Sequence, residues 1–320
     1  MITPALNIPQ ASPIAICADC LDVFPLIPDT SIDMVLCDLP YCITCNSWDS
    51  PIPLEDFIVV AGRKITFSVL QQALWNPNKK LAKTPEVKEL LSLPMREVVK
   101  HWKENKQPGL WTHYKRVIKP HGAIVLFGAG MFSAELMATG KDLWHYNLVW
   151  EKNQPTSFMN ANRMPMRSHE DMLVFYKHLP VYHPQKTTGH PRKVSTAHHK
   201  RNCVKTTNYG DHKAMTYDST ERYPKSVWKF PTDKQKSALH PTQKPVALCE
   251  ELIKTFTEDG ALVLDNSAGS FTTAVACDNL NRRWIAIEKE QNYVDIGLNR
   301  VNENRNRLGL ESVTQTDFNN

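Results

Sequence analysis

Asp38-Leu39-Pro40-Tyr41 places a carboxylate, a backbone carbonyl and an aromatic ring within four residues. Pro40 fixes its own φ and pushes Leu39 toward extended geometry, so the turn holds the Asp38 carboxylate and the Leu39 carbonyl at a set separation. Two such acceptors suit an exocyclic amine on a nucleobase, whose lone pair is delocalised into the ring and therefore poorly nucleophilic. Gripping both N–H bonds favours a pyramidal nitrogen with its lone pair aimed outward, while Tyr41 offers an extruded base a face to stack on. The amine could then attack an electrophilic methyl group directly. The same residues also fit a plain Asp-X-Pro turn, so their surroundings have to decide.

A second constellation lies over two hundred residues downstream. Ala261-Leu262-Val263-Leu264-Asp265 reads as a strand, Asn266-Ser267-Ala268-Gly269-Ser270 as a small-residue turn, and Phe271 to Cys277 as the opening of a helix. The next strand, Arg283 to Ile287, ends at Glu288, 23 positions after Asp265. This βαβ unit has a nucleotide-site layout: a tight turn that lets a ligand approach backbone N–H groups, and an acid at the second strand's tip for ribose hydroxyls. In front of it, His240-Pro241-Thr242-Gln243-Lys244-Pro245 leads into an apolar-periodic helix from Val246 to Phe256.

The first constellation has comparable supports. Ser31 to Cys37 is an apolar run of strand length, which puts Asp38 at a strand's carboxyl end, where open α/β sheets keep their ligands. Another strand, 14 to 18, runs into Asp19-Cys20-Leu21, where the carboxylate could accept from a cofactor's adenine amine or cap a short helix. Ala123 to Phe127, Trp144 to Lys152 and Glu170 to Tyr176 are further strand candidates. Pro51 to Phe57 reads as a helix start and Trp111 to Ile118 as a helix end, with Lys119-Pro120-His121-Gly122 as its stop signal.

The tetrapeptide resembles the D-P-P-Y signature of amino-group DNA methyltransferases, with Leu39 in place of the first proline. Extended through Cys42-Ile43-Thr44-Cys45 to Trp48-Asp49, it is similar to a version in phage and prophage adenine methylases, where the position of Cys42 is usually glycine. The resemblance implies S-adenosylmethionine as cofactor. Asp265, Ser267, Gly269 and Ser270 would line its methionine portion, Glu288 would hold the ribose, Asp19 and Cys20 would border the adenine, and His240, Lys244 and Pro245 would border the pocket. Asp38 and Phe271 complete the expected cofactor neighbourhood. Phe271 stands where the family's D-x-x-x-G-x-G loop has its second glycine, so its ring must point away from the cofactor or partly block it. Its backbone is expected in a region open to non-glycine residues. The turn preceding the cofactor loop matches the permuted (β-class) order.

A chain of 320 residues with net charge +5 and pI near 8.7 can bury a sizeable core but is only mildly basic. No run approaches 18 apolar residues and no leader pattern opens the chain, which reads as soluble and cytoplasmic, in a bacterial or phage-infected cell, with its eight cysteines in a reducing compartment. Cys17-x-x-Cys20 and Cys42-x-x-Cys45 imitate a zinc-ribbon spacing, but they fall on a strand and a catalytic loop and read as small hydrophobes. No metal is expected. Charge concentrates in 153–239, with 15 Lys and Arg against 6 Asp and Glu and seven of the twelve histidines, interleaved with Thr, Asn and Tyr. That mixture suits phosphate neutralisation and base-edge hydrogen bonding, or else a solvated loop.

The organisation expected is a doubly wound, mostly parallel α/β sheet of the S-adenosylmethionine-dependent, Rossmann-like methyltransferase type. Core segments 1–57, 111–152 and 240–310 would be joined by a mostly helical insertion at 58–110 and a basic target-recognition region at 153–239, with 311–320 as a tail. The expected activity is methyl transfer to N6 of a flipped adenine in DNA, with double-stranded DNA as the expected partner and Asp38, Leu39, Pro40 and Tyr41 as catalytic residues. Alternatives are cytosine N4 as the acceptor, a catalytically weakened DNA-binding relative, and an RNA adenine methylase. Recognition sequence and oligomeric state are not legible, a homodimer being one form open to the chain.

Overall fold

The computed structural model describes residues 13–41, 51–76, 84–195, 205–206, 210–211, 216–232 and 243–316. Nine strands make one sheet: β1 Ile14–Cys17, β2 Ile32–Cys37, β3 Ile118–Gly128, β4 Trp144–Thr156, β5 Arg167–Phe175, β6 Val227–Phe230, β7 Leu262–Asp265, β8 Arg283–Glu288 and β9 Gln315–Thr316. Their spatial order is β6-β4-β5-β3-β2-β7-β8-β1-β9. Every neighbouring pair is parallel except at β5, which runs antiparallel to both β3 and β4. The helices are α1 Cys20–Val23, α2 Phe67–Trp75, α3 Pro85–Ser92, α4 Met95–Asn105, α5 Leu110–Val117, α6 Met131–Thr139, α7 Val246–Phe256, α8 Thr272–Asn279 and α9 Gln291–Leu308.

Parallel strands covered on both faces need unbroken apolar runs, and β2 shows why. Met34 and Leu36 pack with Leu248, Leu252, Ala274 and Val294 of α7, α8 and α9. Val35 and Cys37 point the other way, into a cluster with Leu110, Trp111 and Tyr114 of α5 and Leu136 of α6. Asp33 ties the base of the sheet together, accepting from the Leu262 backbone N–H at 2.9 Å and from Lys119 Nζ at 2.7 Å. The expected α/β architecture with a mostly parallel sheet is therefore the one adopted.

From β2 the chain winds outward through β3, whereas β7, on the opposite side of β2, winds the other way through β8 and β1. The carboxyl tips of β2 and β7 thus flank a topological switch point, where such sheets open a crevice.

Several local expectations are corrected. Pro51–Phe57 opens no helix; it runs irregularly into strand Phe57–Val60, which pairs antiparallel with Arg63–Thr66. Trp111 belongs to the start of α5 and not to the end of a long helix. Lys119-Pro120-His121-Gly122 follows the end of α5 at Val117, as a stop signal should, but it also forms part of β3, which begins at Ile118. Pro120 is tolerated because this stretch lies before the tightly paired portion that begins at Ala123. The periodic run from Lys88 to Lys103 is two helices, because Leu93 adopts the extended backbone that Pro94 imposes on its predecessor. The hairpin and α2 to α4 share a small separate core of Ile58, Ile65, Leu70, Val87, Val98 and Trp102. Strand β6 went unread in the sequence, since four residues give no period to follow. Among the described residues no helix is long and apolar enough to cross a membrane.

Candidate active site at the switch point of the sheet

Asp38 follows the last residue of β2, and both of its carboxylate oxygens are engaged. Tyr41 donates its hydroxyl to Oδ1 at 2.6 Å, and Lys244 donates its ammonium to Oδ2. Tyr41 meets Phe132 with ring centroids 4.8 Å apart at 31°. These two rings, with Leu39, Pro40, Ile52, Leu54 and Glu135, line a cavity of about 280 Å³ beside the turn. Its walls are apolar and aromatic, suited to a planar heterocycle whose polar edge reaches toward Asp38.

The second turn lies against the first. Ser267 donates its hydroxyl to the Asp38 carbonyl at 3.0 Å and lies 3.0 Å from Cys37 Sγ, joining residues 229 positions apart. Tyr114 of α5 reaches up from below to donate to Asn266 Oδ1 at 2.6 Å, which fixes the turn from the opposite face. Asp265 accepts from the Ser267 backbone N–H at 3.2 Å, and burial pushes its carboxyl up to about 6 despite that bond and one from Thr273. Glu288, at the tip of β8, receives the Gly269 N–H on Oε2 at 2.8 Å and the Lys289 and Glu290 N–H groups on Oε1. Burial nevertheless raises its carboxyl above the usual range. A carboxylate offers about four lone-pair positions, so one on Oε2 is left for a further donor. Gly269 has φ +50°, a left-handed turn that glycine adopts without strain and that aims the loop's backbone at Glu288.

A sequence model of the N6/N4 type of DNA methylase matches residues 32–299. The chain belongs to this DNA methylase family. Two type II methyltransferases are among its curated relatives. M.HpaI of Haemophilus parainfluenzae is 29% identical over 205 residues, which cover 62% of this chain and 59% of that protein. M.HinfI of Haemophilus influenzae is 23% identical over 309 residues, 92% of this chain and 70% of that protein. The chain thus spans less than two thirds of the first relative's length. In fold it is similar to a solved PvuII DNA methyltransferase described as cytosine-N4-specific, with a TM-score of 0.52, 15% identity and 93% of each chain covered.

S-adenosylmethionine is the family's methyl donor, and the residues at the tips of β7 and β8 fit it. Buried Asp265 suits a cationic amino-acid head, the remaining lone pair of Glu288 suits a ribose hydroxyl, and the small residues between them let a ligand reach the backbone.

The other expected site residues take the following places in the chain. Phe271 does not face the loop: its ring is fully buried, packs edge-on to Trp284 at 6.3 Å and fills the space over Gly297. Its backbone is also not in an ordinary region; φ 58° and ψ 38° make it a left-handed cap for α8. The glycine-like conformation is kept and the side chain is accommodated elsewhere. Lys244 serves Asp38 in place of the cofactor loop, whose Ser270 is met by Gln243 at 3.2 Å. Asp19 caps α1, accepting from the Leu21 N–H at 3.1 Å, and pairs with Lys64 at 3.0 Å. Cys20 is buried beneath the site, 3.7 Å from Asn266 Nδ2, with its thiol pushed up to about 12 by burial. Pro245 is the N-cap of α7. His240, together with Cys42, Cys45, Trp48 and Asp49, lies outside the described residues.

Sequence reading missed Phe132, Lys152 and Glu170. Lys244 also lies 3.3 Å from Glu170, which accepts from Lys152 on its other oxygen. The available signal was the pair of acids Glu170 and Asp171 at the point where β5 passes from its polar half to the apolar run Met172 to Phe175.

Proposed function

We propose that this methylase transfers a methyl group from S-adenosylmethionine to N6 of a flipped-out adenine in DNA. The observation that carries the reading is the Ser267 to Asp38 carbonyl bond, which fastens the amine-gripping turn to the cofactor turn. Bound beside Asp265 and Glu288, the cofactor supplies an electrophilic sulfonium methyl. Asp38 and the Leu39 carbonyl accept the two N–H bonds of the base's amine and turn its lone pair outward. Pro40 keeps those acceptors at a fixed spacing, and Tyr41, backed by the Phe132 ring at 4.8 Å, offers the extruded base a face to stack on. Tyr41 stays in place because its own hydroxyl is held by Asp38.

An aspartate at the first position of the tetrapeptide favours adenine. The order of the turns, with Asp38 preceding Asp265, supports the permuted class, and the likeness to type II methyltransferases supports site-specific modification of DNA, which this reading takes to be double-stranded and in the cytoplasm. The segments 153–239 supply the recognition region in this reading.

Digesting DNA treated with the enzyme and S-adenosylmethionine to nucleosides tests the reading directly. N6-methyladenine should appear with wild type and fall by about 10³-fold or more with Asp38→Ala, a loss of the size seen when a group acting in the transition state is removed. N4-methylcytosine in its place would overturn the choice of base. No methylated nucleoside at all, with cofactor bound, would overturn the reaction.

A further inference from the structure

The Asp38 carboxylate is one end of a buried chain of four charges. Lys244 Nζ lies between Asp38 and Glu170, and Glu170 is held at its far oxygen by Lys152. The side chains of Lys244, Glu170 and Lys152 are 8%, 13% and 6% exposed, so these three are shielded from water, and the Asp38 end, 26% exposed, is the accessible one. Two positive and two negative groups balance it. Burial alone would suppress the charge on Lys244, but the two carboxylates outweigh it and raise its pKa. Burial would likewise raise Glu170, but the two ammonium groups hold it below the usual carboxylate range. Phe127 and Tyr41 present ring faces to Lys244 at 5.1 and 5.7 Å, walls that leave the ammonium to move along the Asp38–Glu170 line.

The proposed reaction puts a second donor on the same carboxylate. An exocyclic amine must reach Asp38, yet Oδ1 carries the Tyr41 hydroxyl and Oδ2 carries a full ammonium. Each Asp38 oxygen keeps a second lone pair for the amine, but the ammonium on Oδ2 neutralises much of the charge that would grip it, so the amine and Lys244 compete for Asp38. An ammonium has three N–H bonds and can lean on a second anion when the first is shared. Glu170 is that anion, and Lys152 keeps it from following.

We infer that Glu170 is a positioning residue: it holds the ammonium of Lys244 while the substrate amine takes Asp38, with Lys152 anchoring Glu170 for the purpose. The inference rests on the methyl-transfer reading above. No bond forms or breaks in this step; one ion pair loosens as another tightens. Without Glu170, Lys244 keeps Asp38 as its sole carboxylate partner among the described residues and stays clamped to it.

The test is Glu170→Gln, which keeps shape and removes charge, assayed on duplex DNA with labelled S-adenosylmethionine. Rates are normalised to the cofactor-binding stoichiometry measured by calorimetry, so unfolded chain does not count. The expected result is a kcat lowered by about tenfold or more, cofactor affinity within about twofold of wild type, and partial recovery with Glu170→Asp. Adding Lys244→Met to Glu170→Gln should raise kcat above the single variant, since the clamp is then gone; a merely structural role predicts a further fall. A Glu170→Gln kcat within twofold of wild type, or a double variant no faster than the single one, overturns the inference. Should Glu170→Gln bind no cofactor, Lys152→Met replaces it, with the same direction expected and the same comparison against its Lys244→Met double. Failure of wild type itself to methylate DNA would instead remove the reading on which this rests.

Discussion

Phe271 and Asp265 show how single residues in the cofactor turn trade comfort for position. A non-glycine residue in the left-handed region costs about 1–2 kcal/mol, yet Phe271 takes it with a fully buried ring. Emptying that ring's space would cost about 3–5 kcal/mol, so burial wins and the strain persists. The space exists because position 297 is glycine: a Cβ there would lie 2.5 Å from the Phe271 ring. Gly297→Ala should therefore lower stability by about 1–3 kcal/mol, the usual cost of overpacking, read as a shift in the urea midpoint at unchanged slope. Asp265 offers a pH signature. Its folded value of about 6 lies above its ordinary 3.8, so the folded chain binds this proton more tightly than the unfolded one. The contribution of this group to stability is thus greatest below pH 4 and declines as pH rises through about 6. Subtracting the pH profile of Asp265→Asn from that of wild type should expose that decline. Binding of cationic S-adenosylmethionine should strengthen over the same interval in wild type and not in Asp265→Asn.

Among elements, the hairpin Phe57–Val60 and Arg63–Thr66 with α2, α3 and α4 stands apart. Its core is separate from the two large clusters that sandwich the sheet, and it meets the rest through the Phe57 ring in one of those clusters, the Lys64–Asp19 pair and the Asp56 bonds to Thr112 and the Gly109 N–H. Small cores bury less surface and open more readily. Hydrogen exchange should therefore give the amides of α4 an opening free energy well below those of β2 and β7; equal protection would show that the two parts unfold as one. This region was also where sequence reading was weakest. Helical periodicity in Lys88–Lys103 was legible because side chains recur on one face, but the short hairpin carries no such period and was absorbed into a helical reading. Within the sheet, β2, β7 and β8 were legible because burial on both faces leaves uninterrupted apolar runs.

At the scale of the whole molecule, positive charge and the catalytic turns have to meet one polyanion. Within 153–239 Arg192 pairs with Asp218 at 2.6 Å and Lys186 with Glu221 at 2.9 Å, and the excess of 15 basic over 6 acidic residues is left for other partners. If six phosphates are neutralised by what remains, affinity for duplex DNA should drop about 10³-fold between 50 and 200 mM salt; a flat response would mean that the region does not track the backbone. What could be read from the chain alone was whatever neighbours in sequence decide: the turn chemistry of Asp38 to Tyr41, the small-residue loop after Asp265, and the strands that end at both. Contact across long separations could not be read. That Ser267 bonds the Asp38 carbonyl, that Glu170 and Lys152 come to stand behind Lys244, and that Gly297 makes room for Phe271 all follow from strand order and helix packing. Those arrangements are fixed by how the apolar faces of the entire sheet are covered, a collective property that no local pattern of residues encodes.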